Sequence, residues 1–534
     1  MVLLCIGVQT LCWASSGPAD IVVVGQTFLA GGLNPLCDCS DGWSLTSHGI
    51  TENLFTVDRS GAIVGKVAQS VSQVSTFVWD VTLKSGYKFS DGTTVTASLV
   101  ATCLTELNTA NSAARASLGT MTVTAPDSLT VRIESTKSHP AMDSVLAEWV
   151  FVIYKQDSAG DYVFTGPYKV TTGGFTASQI DLIPNKHAAD ATDRPRVMLK
   201  KFSDGTALAD AAMANELDIG FHLPAASKAA VVAVDGQRVV SYEVGYHYMM
   251  FHNTGSLELN VRKAIDLALD REALVTALDG GTGTRSLFPD YSPFYLQDAG
   301  GSLVGNSAAA ATLLDAAGWT LDPTSGRRTK AGQDLTVRLV AYPHRPGLNT
   351  MAPAIQSALT GLGITVTYTL TGDDWSETQT IIDDRSFDLL MWAQNTLPAG
   401  DPQWFLNHFF HSSDGGNNYA DLNSSAVDSG LHDLSVAVGE AARVAASAAV
   451  QTQIQAEVPI SNLVTPFWHV SVSDRMARYV PYGSDYYVIN SDLSVITPPP
   501  PPLAVDKSGT AALVLSKALL VAAVAAFGLF CTAP

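Results

Sequence analysis

The sequence has little charge, and least of all positive charge. Charged residues make up only 15% of the 534 residues, and 31 Lys and Arg stand against 50 Asp and Glu, a net charge of −19. Such an acidic surface repels nucleic acid and anionic membranes, so neither is expected as a main partner. Apolar residues reach 46%, which indicates a packed globular protein, and the length suits two or three domains.

Recognisable catalytic motifs are also missing. The stretch GAIVGKV at 61–67 imitates a phosphate-binding loop, but three residues separate its glycines where four are needed. The chain contains no Gly-x-Ser-x-Gly and no His-Glu-x-x-His. His408 and His411, with Asp401 and Asp414 as further candidates, form a weak metal-binding pattern, and a packing or surface role is favoured. We therefore expect no catalytic residue, no resident metal and no cofactor.

Cysteine is scarce, with six residues, of which three lie near the chain ends. The others are Cys37, Cys39 and Cys103, and three cysteines cannot all pair within one chain. The spacing of Cys37 and Cys39 is too tight for the usual zinc pattern. If the protein is exported, one disulfide that involves Cys103 is expected.

Both ends differ from the body of the chain. Residues 2–8 are apolar and small residues follow, so residues 1–16 resemble a secretory signal peptide, although no Lys or Arg stands near Met1. An unbroken proline run at 498–502 predicts a stiff spacer over 497–510. Residues 511–534 form a hydrophobic tail, for which two interpretations stay open: a membrane-spanning segment, or a signal for attachment of a lipid anchor.

Strand-like and helix-like patterns alternate along the body, which predicts an α/β fold. Continuous apolar runs predict strands covered on both faces at 20–25, 335–340 and 387–392. Helical spacing of apolar residues predicts helices over 261–278, 308–317 and 351–362. Period-two alternation is denser over 45–160 and predicts a distinct β-rich part, in which Thr96 is a candidate helix cap.

Candidate binding residues collect where the predicted strands end. In open α/β sheets ligands bind at that edge, because loops and helix N-termini converge there. The residues that follow these strands, or stand in a nearby aromatic cluster, are His222, Tyr246, Tyr248, Tyr342, His344, Arg345, Asn395, Asp401 and Trp404. Aromatic rings, amides and one arginine can hold a small polar solute by stacking and hydrogen bonding.

An ordered series of short motifs spans about residues 20–490. The motifs are Phe77-x-Trp79, KFSDGT at 88–93, GPY at 166–168, ANELDI at 214–219, VRKAIDLALDRE at 261–272, LLDAAGW at 313–319, Ile355-Gln356 with LGITV at 362–366, and Asp401-Pro402. Through them the chain resembles the bacterial extracellular solute-binding proteins of family 5. These are the dipeptide-, oligopeptide- and nickel-binding components of ABC importers. The stretch YPHRP at 342–346 is most similar to the nickel-type and uncharacterised branches.

This resemblance implies the clamshell of the type II periplasmic-binding proteins, with two α/β lobes and an extra smaller domain. The implied boundaries are lobe I at 17–44 and 161–242 with a return at 474–496, the extra domain at 45–160, and lobe II at 243–473. The turn in FSDGTTVTA at 89–97 is then a structural joint of the extra domain and not a site. Closure of the lobes over a solute is the implied mechanism.

The resemblance also adds Trp392 to the candidate binding residues. Peptide binders of the family place an Asp three residues after the equivalent Trp, where it pairs with the peptide's amino terminus. This chain has Asn395 there, and a neutral amide cannot neutralise an ammonium group, so binding of ordinary peptides is not favoured. Arg345 is instead expected to meet a carboxylate or the anionic group of a metal chelate.

Three functions follow from these observations. The first is an extracytoplasmic solute-binding protein, in the periplasm or at the cell surface and tethered to the membrane by its tail. It captures a peptide or a nickel-type chelate and delivers it to the permease of an ABC importer. The second is a receptor or scavenger that uses the same clamshell without an importer. The third is a hydrolase of the cleft, against which the lack of a nucleophile setting counts.

Overall fold

A computed structural model describes residues 21–496, apart from residues 40, 60, 191–192, 298, 300 and 414–415. The predicted signal peptide, the proline spacer and the hydrophobic tail lie outside the described residues, as does Asp414. Within the described range, no helix combines the length and the apolar character needed to cross a membrane.

Strands and helices alternate, as the sequence patterns predict. The strands are β1 (Ile21–Gln26), β2 (Phe55–Val57), β3 (Ile63–Gly65), β4 (Ala68–Ser75), β5 (Val78–Leu83), β6 (Met121–Thr124), β7 (Thr130–Ser135), β8 (Tyr154–Gln156), β9 (Tyr162–Phe164), β10 (Tyr168–Phe175), β11 (Gln179–Pro184), β12 (Arg196–Lys201), β13 (Ile219–Gly220), β14 (Gln237–Glu243), β15 (Tyr246–His252), β16 (Gly281–Gly283), β17 (Thr320–Leu321), β18 (Arg328–Lys330), β19 (Gln333–Asp334), β20 (Thr336–Ala341), β21 (Thr365–Leu370), β22 (Leu389–Asn395) and β23 (Ile460–Ser473). The helices are α1 (Asp41–Ser47), α2 (Ala97–Ala110), α3 (Ser112–Leu118), α4 (Met142–Val145), α5 (Gly205–Met213), α6 (Lys228–Val232), α7 (Leu259–Ala268), α8 (Arg271–Leu278), α9 (Ser307–Ala316), α10 (Pro346–Gly361), α11 (Trp375–Asp383), α12 (Gln403–Phe410), α13 (Ser425–Val436) and α14 (Glu440–Glu457).

The largest sheet has twelve strands and consists of two half-sheets that share β23. Its order is β10-β11-β12-β1-β13-β23-β15-β22-β20-β21, and β14 and β16 also pair with β23. The C-terminal half of β23 pairs with β13 and β14, and its N-terminal half pairs with β15 and β16. We call β10–β14 the first half-sheet, together with β1, and we call β15, β16 and β20–β22 the second. Strands such as β15 are buried along their whole length, as expected for strands that are covered on both faces.

The β-rich part lies where the sequence predicts it. The antiparallel sheet β4-β5-β7-β6 buries alternate residues of β5 and β7, as period-two alternation requires. Thr96 caps α2, because its side chain accepts a hydrogen bond from the N–H of Leu99 at 3.4 Å. In the preceding turn Asp91 accepts the N–H of Thr93, and Gly92 has a φ of +91°. Phe89 is fully buried, so the core holds the residue that precedes the turn, while Asp91 and Thr93 in the turn are exposed.

The predicted helix over 261–278 is two helices, α7 and α8. Leu269 adopts an extended conformation, and Asp270 caps α8 by accepting the N–H of Ala273 at 3.0 Å. Arg271 is fully buried and donates to the carboxylate of Asp266 at 2.5 Å. The helical spacing of apolar residues continues across the break, so the cap and not the periodicity marks it. The other two predicted helices are present as α9 and α10, and α10 begins at Pro346, earlier than predicted.

The expected disulfide at Cys103 is wrong. Cys37 and Cys39 form a disulfide with each other, with their Cα atoms 5.2 Å apart, a separation that suits the bond. Cys103 is free and buried in α2, where its thiol contacts the carbonyl of Val152 at 3.3 Å. Among the described residues, Cys37, Cys39 and Asp41 are the only group with metal-ligand spacing, and His408 and His411 form no such group.

Candidate functional site

The ends of several strands bring polar and aromatic side chains to one place. Phe28 follows β1, His222 follows β13 and Arg345 follows β20. Tyr246 begins β15 and lies opposite Asn395 at the end of β22, because the two strands are antiparallel. The first two residues come from the first half-sheet and the others from the second, so this edge joins both halves of the sheet.

Arg345 forms a buried ion pair with Asp485, which lies in a short 3₁₀ turn after β23. The Nη2 atom of Arg345 is 2.7 Å from Oδ2 of Asp485, and Tyr246 donates its hydroxyl to Oδ1 at 2.5 Å. Burial alone raises the pKa of Asp485, but the charge of Arg345 and the contacts with His222 and Tyr246 outweigh it, so the pKa of Asp485 is lowered. The pair is therefore ionised at neutral pH.

His222 connects this pair to the end of β1. Its Nδ1 is 3.1 Å from the hydroxyl of Thr27, which in turn donates to the carbonyl of His344 at 3.0 Å. Its Nε2 lies 3.5 Å from Nη1 of Arg345 and 3.7 Å from Asp485. Burial lowers the pKa of His222 to about 4, against the opposing pull of Asp485. The imidazole is therefore neutral at pH 7, and it can accept from Arg345 through Nε2.

Four aromatic rings surround the guanidinium of Arg345. The centroids of Phe28, Trp43, Tyr246 and Trp468 lie 5.4, 5.9, 5.5 and 5.5 Å from its central carbon, within the range of cation–π contacts. We call these four residues, with His222, Arg345 and Asp485, the Arg345 cluster. Three buried donors at the cluster have no hydrogen-bond partner among the described residues: Nε of Arg345 and Nε1 of both Trp43 and Trp468. Unpartnered buried donors of this kind suit a bound acceptor.

Two of the predicted binding residues, Trp392 and Tyr342, belong to another group of aromatic rings, which is part of the second half-sheet. The ring of Trp392 lies 5.2 Å from that of Tyr342 and 4.8 Å from that of Tyr419. The hydroxyl of Tyr342 accepts the N–H of Ala393 at 3.2 Å. The ring centroid of His344 is 6.2 Å from that of Tyr342, and Nε2 of His344 donates to the backbone carbonyl of Asp373 at 3.0 Å. These rings pack on one another beside the cluster.

Tyr248 and Asn395 lie close to the cluster and are largely buried. A Cβ at Gly347 would come within 2.3 Å of the ring of Tyr248, so the start of α10 lies directly against this ring. The Oδ1 atom of Asn395 accepts the N–H of Leu397 at 3.0 Å. The amide of Asn395 thus shapes the loop that follows β22.

The structure places Asp401 and Trp404 apart from the Arg345 cluster. Asp401 pairs with Arg443 through two contacts of 2.6 and 2.5 Å, and it also accepts the N–H of Gln403. Trp404 stacks on His408 with 5.1 Å between ring centroids. Both line a small cavity of about 30 Å³, partly open to solvent, which we call the side cavity. Its other lining residues are Ala116, Ser117, His139, Ala141, Ser144, Val145, Glu148, Gln403, Asn407 and His408.

Glu148 is the buried carboxyl group of the side cavity. It accepts a hydrogen bond from the hydroxyl of Ser117 and forms no ion pair with any described residue. Burial raises the pKa of Glu148 to about 8, and the nearby charge of Asp401 acts in the same direction. The side cavity therefore contains a carboxyl group without a counter-charge.

The predicted binding residues do not include Phe28, Trp43, Trp468, Asp485 or Glu148. A signal was available for the first two, because they follow β1, and the strand-end argument applies to β1 as it does to β13 and β20. The other three carry no comparable signal. Trp468 lies inside a strand, Asp485 in a turn without strand or helix periodicity, and Glu148 just after the single turn α4.

Comparison with known proteins identifies the family. The profile of the bacterial extracellular solute-binding proteins, family 5 (middle part), matches residues 62–417, about two thirds of the chain. The chain belongs to this family. The nickel-binding protein NikA of Staphylococcus aureus is 24% identical over 467 residues, which cover 83% of this chain and 88% of NikA. Protein XP55 of Streptomyces lividans is 28% identical over 444 residues, or 77% of either chain.

Solved structures of this family share the fold. The crystal structure of S. aureus NikA in complex with Ni(L-His)2 has a TM-score of 0.79 at 20% identity, covering 89% of this chain and 100% of that one. The oligopeptide-binding protein AppA of Bacillus subtilis, in complex with a nonapeptide, has a TM-score of 0.75 at 19% identity, covering 87% and 96%. The predicted α/β clamshell of the type II periplasmic-binding proteins is thus confirmed. The residue boundaries of its lobes and of the extra domain stay predictions.

Proposed function

We propose that this family 5 protein captures a small peptide or a nickel-type metal chelate outside the cytoplasm and delivers it to the permease of an ABC importer. The relatives support this choice, because they include a nickel-binding protein and a protein solved with a nonapeptide. The signal peptide at 1–16 and the tail at 511–534 are the parts of the proposal that concern export and membrane tethering.

The Arg345 cluster is the observation that carries the proposal. Its groups come from both half-sheets, so a solute bound there touches both, and contacts from both sides favour a closed arrangement over an open one. The rings offer stacking surfaces, and the free Nε–H of Arg345 and Nε1–H of Trp43 offer donors to an anionic or carbonyl oxygen. A ligand with a carboxylate, free or as part of a chelate, fits this chemistry.

The neutral residue at 395 guides the choice between the two ligand classes. Asn395 already binds the backbone of Leu397, and it brings no negative charge for the amino terminus of a peptide. The one acid of the Arg345 cluster, Asp485, is already bound by Arg345 and Tyr246. A chelate with an anionic face, or a peptide whose ammonium group is held elsewhere, is therefore favoured.

Native mass spectrometry of the chain purified without its tail tests the proposal, followed by calorimetry. The probes are nickel(II) with and without L-histidine, and alanine peptides of two to five residues. We expect one of these two ligand classes to bind. Arg345→Met should weaken its binding by about tenfold or more, because a charged hydrogen bond is lost. Arg59→Met, which removes a partly exposed partner of Asp492, is the matched control. Binding of neither class, or cleavage of a peptide in the same solution, would contradict the proposal.

A further inference from the structure

The side cavity lies between two segments that are far apart in the sequence. One wall comes from residues 116–148, and the other from residues 401–408 around the start of α12. The hydroxyl of Ser144 donates to the carbonyl of Ala399 at 2.7 Å and joins the two walls. The cavity is therefore formed where α3 and the residues around α4 meet the start of α12.

One residue, Tyr486, relates the side cavity to the Arg345 cluster. Tyr486, the neighbour of Asp485, contacts Trp43 edge-on with 5.8 Å between ring centroids. Burial, and then charges that include those of Asp485 and Glu148, raise the pKa of Tyr486 well above its ordinary value. The charge of Glu148 thus acts on Tyr486, which contacts Trp43 of the Arg345 cluster.

The two acidic residues of the side cavity, Asp401 and Glu148, differ in whether a cation neutralises them. Asp401 is neutralised by two contacts with Arg443. Lys137, the other cation near this wall, donates to the carbonyl of Ala116 at 2.8 Å. Glu148 is 4% exposed and has the hydroxyl of Ser117 as its side-chain donor. A buried carboxyl group without a counter-charge is costly to ionise, and a cation that enters the cavity removes that cost.

His139 adds a second acceptor to the same cavity. Its side chain is 1% exposed, and its Nε2 lies 3.4 Å from the carbonyl of Leu118, which can only accept. Nε2 therefore carries the proton, and Nδ1 keeps its lone pair without a partner among the described residues. The ring of Trp404, stacked on His408, completes the lining with an aromatic face.

We propose that the side cavity is a subsite for a positively charged group of the bound solute, with Glu148 as counter-charge and His139 as a further acceptor. This inference rests on the proposed function and names the part of the ligand that the Arg345 cluster leaves unrecognised. The charged group is either the ammonium of a peptide or the metal ion of a chelate, since carboxylate and imidazole bind both. Glu148 then supplies the negative charge that Asn395 does not.

Calorimetry on the full chain and its Glu148→Gln variant tests the inference. The probes for the ammonium group are trialanine and N-acetyl-trialanine, and those for the metal ion are L-histidine with and without nickel(II). Glutamine keeps the shape and the acceptor for Ser117 but loses the charge. We expect Glu148→Gln to weaken binding of the cationic probe by about tenfold or more. The affinity for the probe without that charge should stay unchanged within about twofold.

Two further variants keep the result interpretable. Glu106→Gln makes the same chemical change at a residue outside the side cavity, where Glu106 accepts the hydroxyl of Tyr154 at 2.6 Å, and affinity is expected to stay the same. His139→Gln retains a donor for Leu118 and removes the lone pair of Nδ1, and about a threefold or larger loss is expected. This variant decides the matter if Glu148→Gln does not fold.

The outcomes separate this inference from the proposed function. If the chain binds trialanine or the nickel–histidine complex and neither variant weakens it, the subsite is wrong and the proposed function stands. If the chain binds none of the probes, the proposed function fails and the subsite fails with it. Equal loss for the charged and uncharged probes would mean that Glu148 has a structural role only, which also overturns the inference.

Discussion

The Arg345 cluster and the side cavity each bury a carboxyl group, with opposite electrostatic results. Asp485 is 0% exposed and Glu148 is 4% exposed, so burial does not distinguish them. The difference lies in their partners: an arginine, a tyrosine and a histidine for Asp485, and one serine hydroxyl for Glu148. At neutral pH, the carboxyl group of Asp485 is therefore ionised, and that of Glu148 holds a proton. The hydrogen-bond and ion-pair partners of a buried acid, more than its depth of burial, therefore decide which ligand group it can bind.

The largest effect on stability is expected when the ion pair between Arg345 and Asp485 is broken. Asp485→Asn should lower the free energy of unfolding by about 3–5 kcal/mol, because the guanidinium of Arg345 then remains buried without a counter-charge. Denaturant titration measures the change. The double variant Arg345→Met with Asp485→Asn should recover part of the loss.

An exposed pair provides the control for that prediction. Asp492 pairs with Arg59, and their side chains are 66% and 38% exposed. Asp492→Asn should therefore cost less than about 1 kcal/mol. Equal losses from Asp485→Asn and Asp492→Asn would show that the buried pair has no special contribution.

The second prediction concerns the uncompensated acid of the side cavity. The folded-state pKa of Glu148 is raised from 4.5 to about 8, so the folded protein holds a proton that the unfolded chain has lost between these values. The corresponding stability is complete below pH 4.5 and is lost as the pH rises through 8, at most about 1.4 kcal/mol for each pH unit. Glu148→Gln should gain stability relative to the unaltered chain over this window.

Unfolding of both proteins at several pH values measures that difference. The many buried histidines, such as His247 with a pKa lowered to about 4, destabilise the fold as the pH falls below about 6.5. Because both proteins contain them, their contribution cancels in the comparison. A difference in stability that stays constant with pH would contradict the assignment for Glu148.

The third prediction adds an uncompensated charge beside the Arg345 cluster. Asn395→Asp keeps an acceptor for the N–H of Leu397 and introduces a carboxylate for the amino terminus of a peptide. We expect trialanine to bind about tenfold more tightly, measured by calorimetry. Asn349→Asp, at an exposed residue that accepts the hydroxyl of Tyr368, should have no effect. Unchanged binding by Asn395→Asp would count against the role of residue 395 in peptide recognition.

The smallest effect is expected from reduction of the disulfide Cys37–Cys39, near the segment that carries Phe28 and Trp43 to the cluster. The bond closes a very short loop, and Asp38 and Asn111 hold the same loop through hydrogen bonds between it and α3. Reduction should therefore lower Tm by less than about 2 °C. A Cys37→Ser, Cys39→Ser variant should show no further change with reductant, and a loss above about 5 °C would contradict this account.

Local rules predicted much of the fold but only part of the site. Apolar runs and turn residues located the main strands and the cap at Thr96, since those features depend on neighbours in the chain. The strand-end rule also placed His222, Tyr246 and Arg345 together. Asp485 could not be found in this way, because its position beside Arg345 depends on the path of the chain after β23.

The same limit explains the residues that the structure separates. Asp401 follows β22 and satisfies the strand-end rule, yet Arg443 from α14 binds it and removes it from the cluster. No sequence motif includes Glu148. Its proposed role follows from the lack of a cationic partner among the described residues. Contacts between residues far apart in the sequence leave no local pattern, and neither does the lack of such contacts.

The position of β23 has a consequence for biosynthesis. This strand is among the last parts of the fold to be made, yet it fills the centre of the twelve-stranded sheet, between β13 and β15. Until residues 460–473 leave the ribosome or the export channel, the nascent polypeptide presents two unpaired strand edges, each an opportunity for association between molecules. Completion of the fold thus waits for almost the entire chain, and truncations upstream of residue 460 should aggregate.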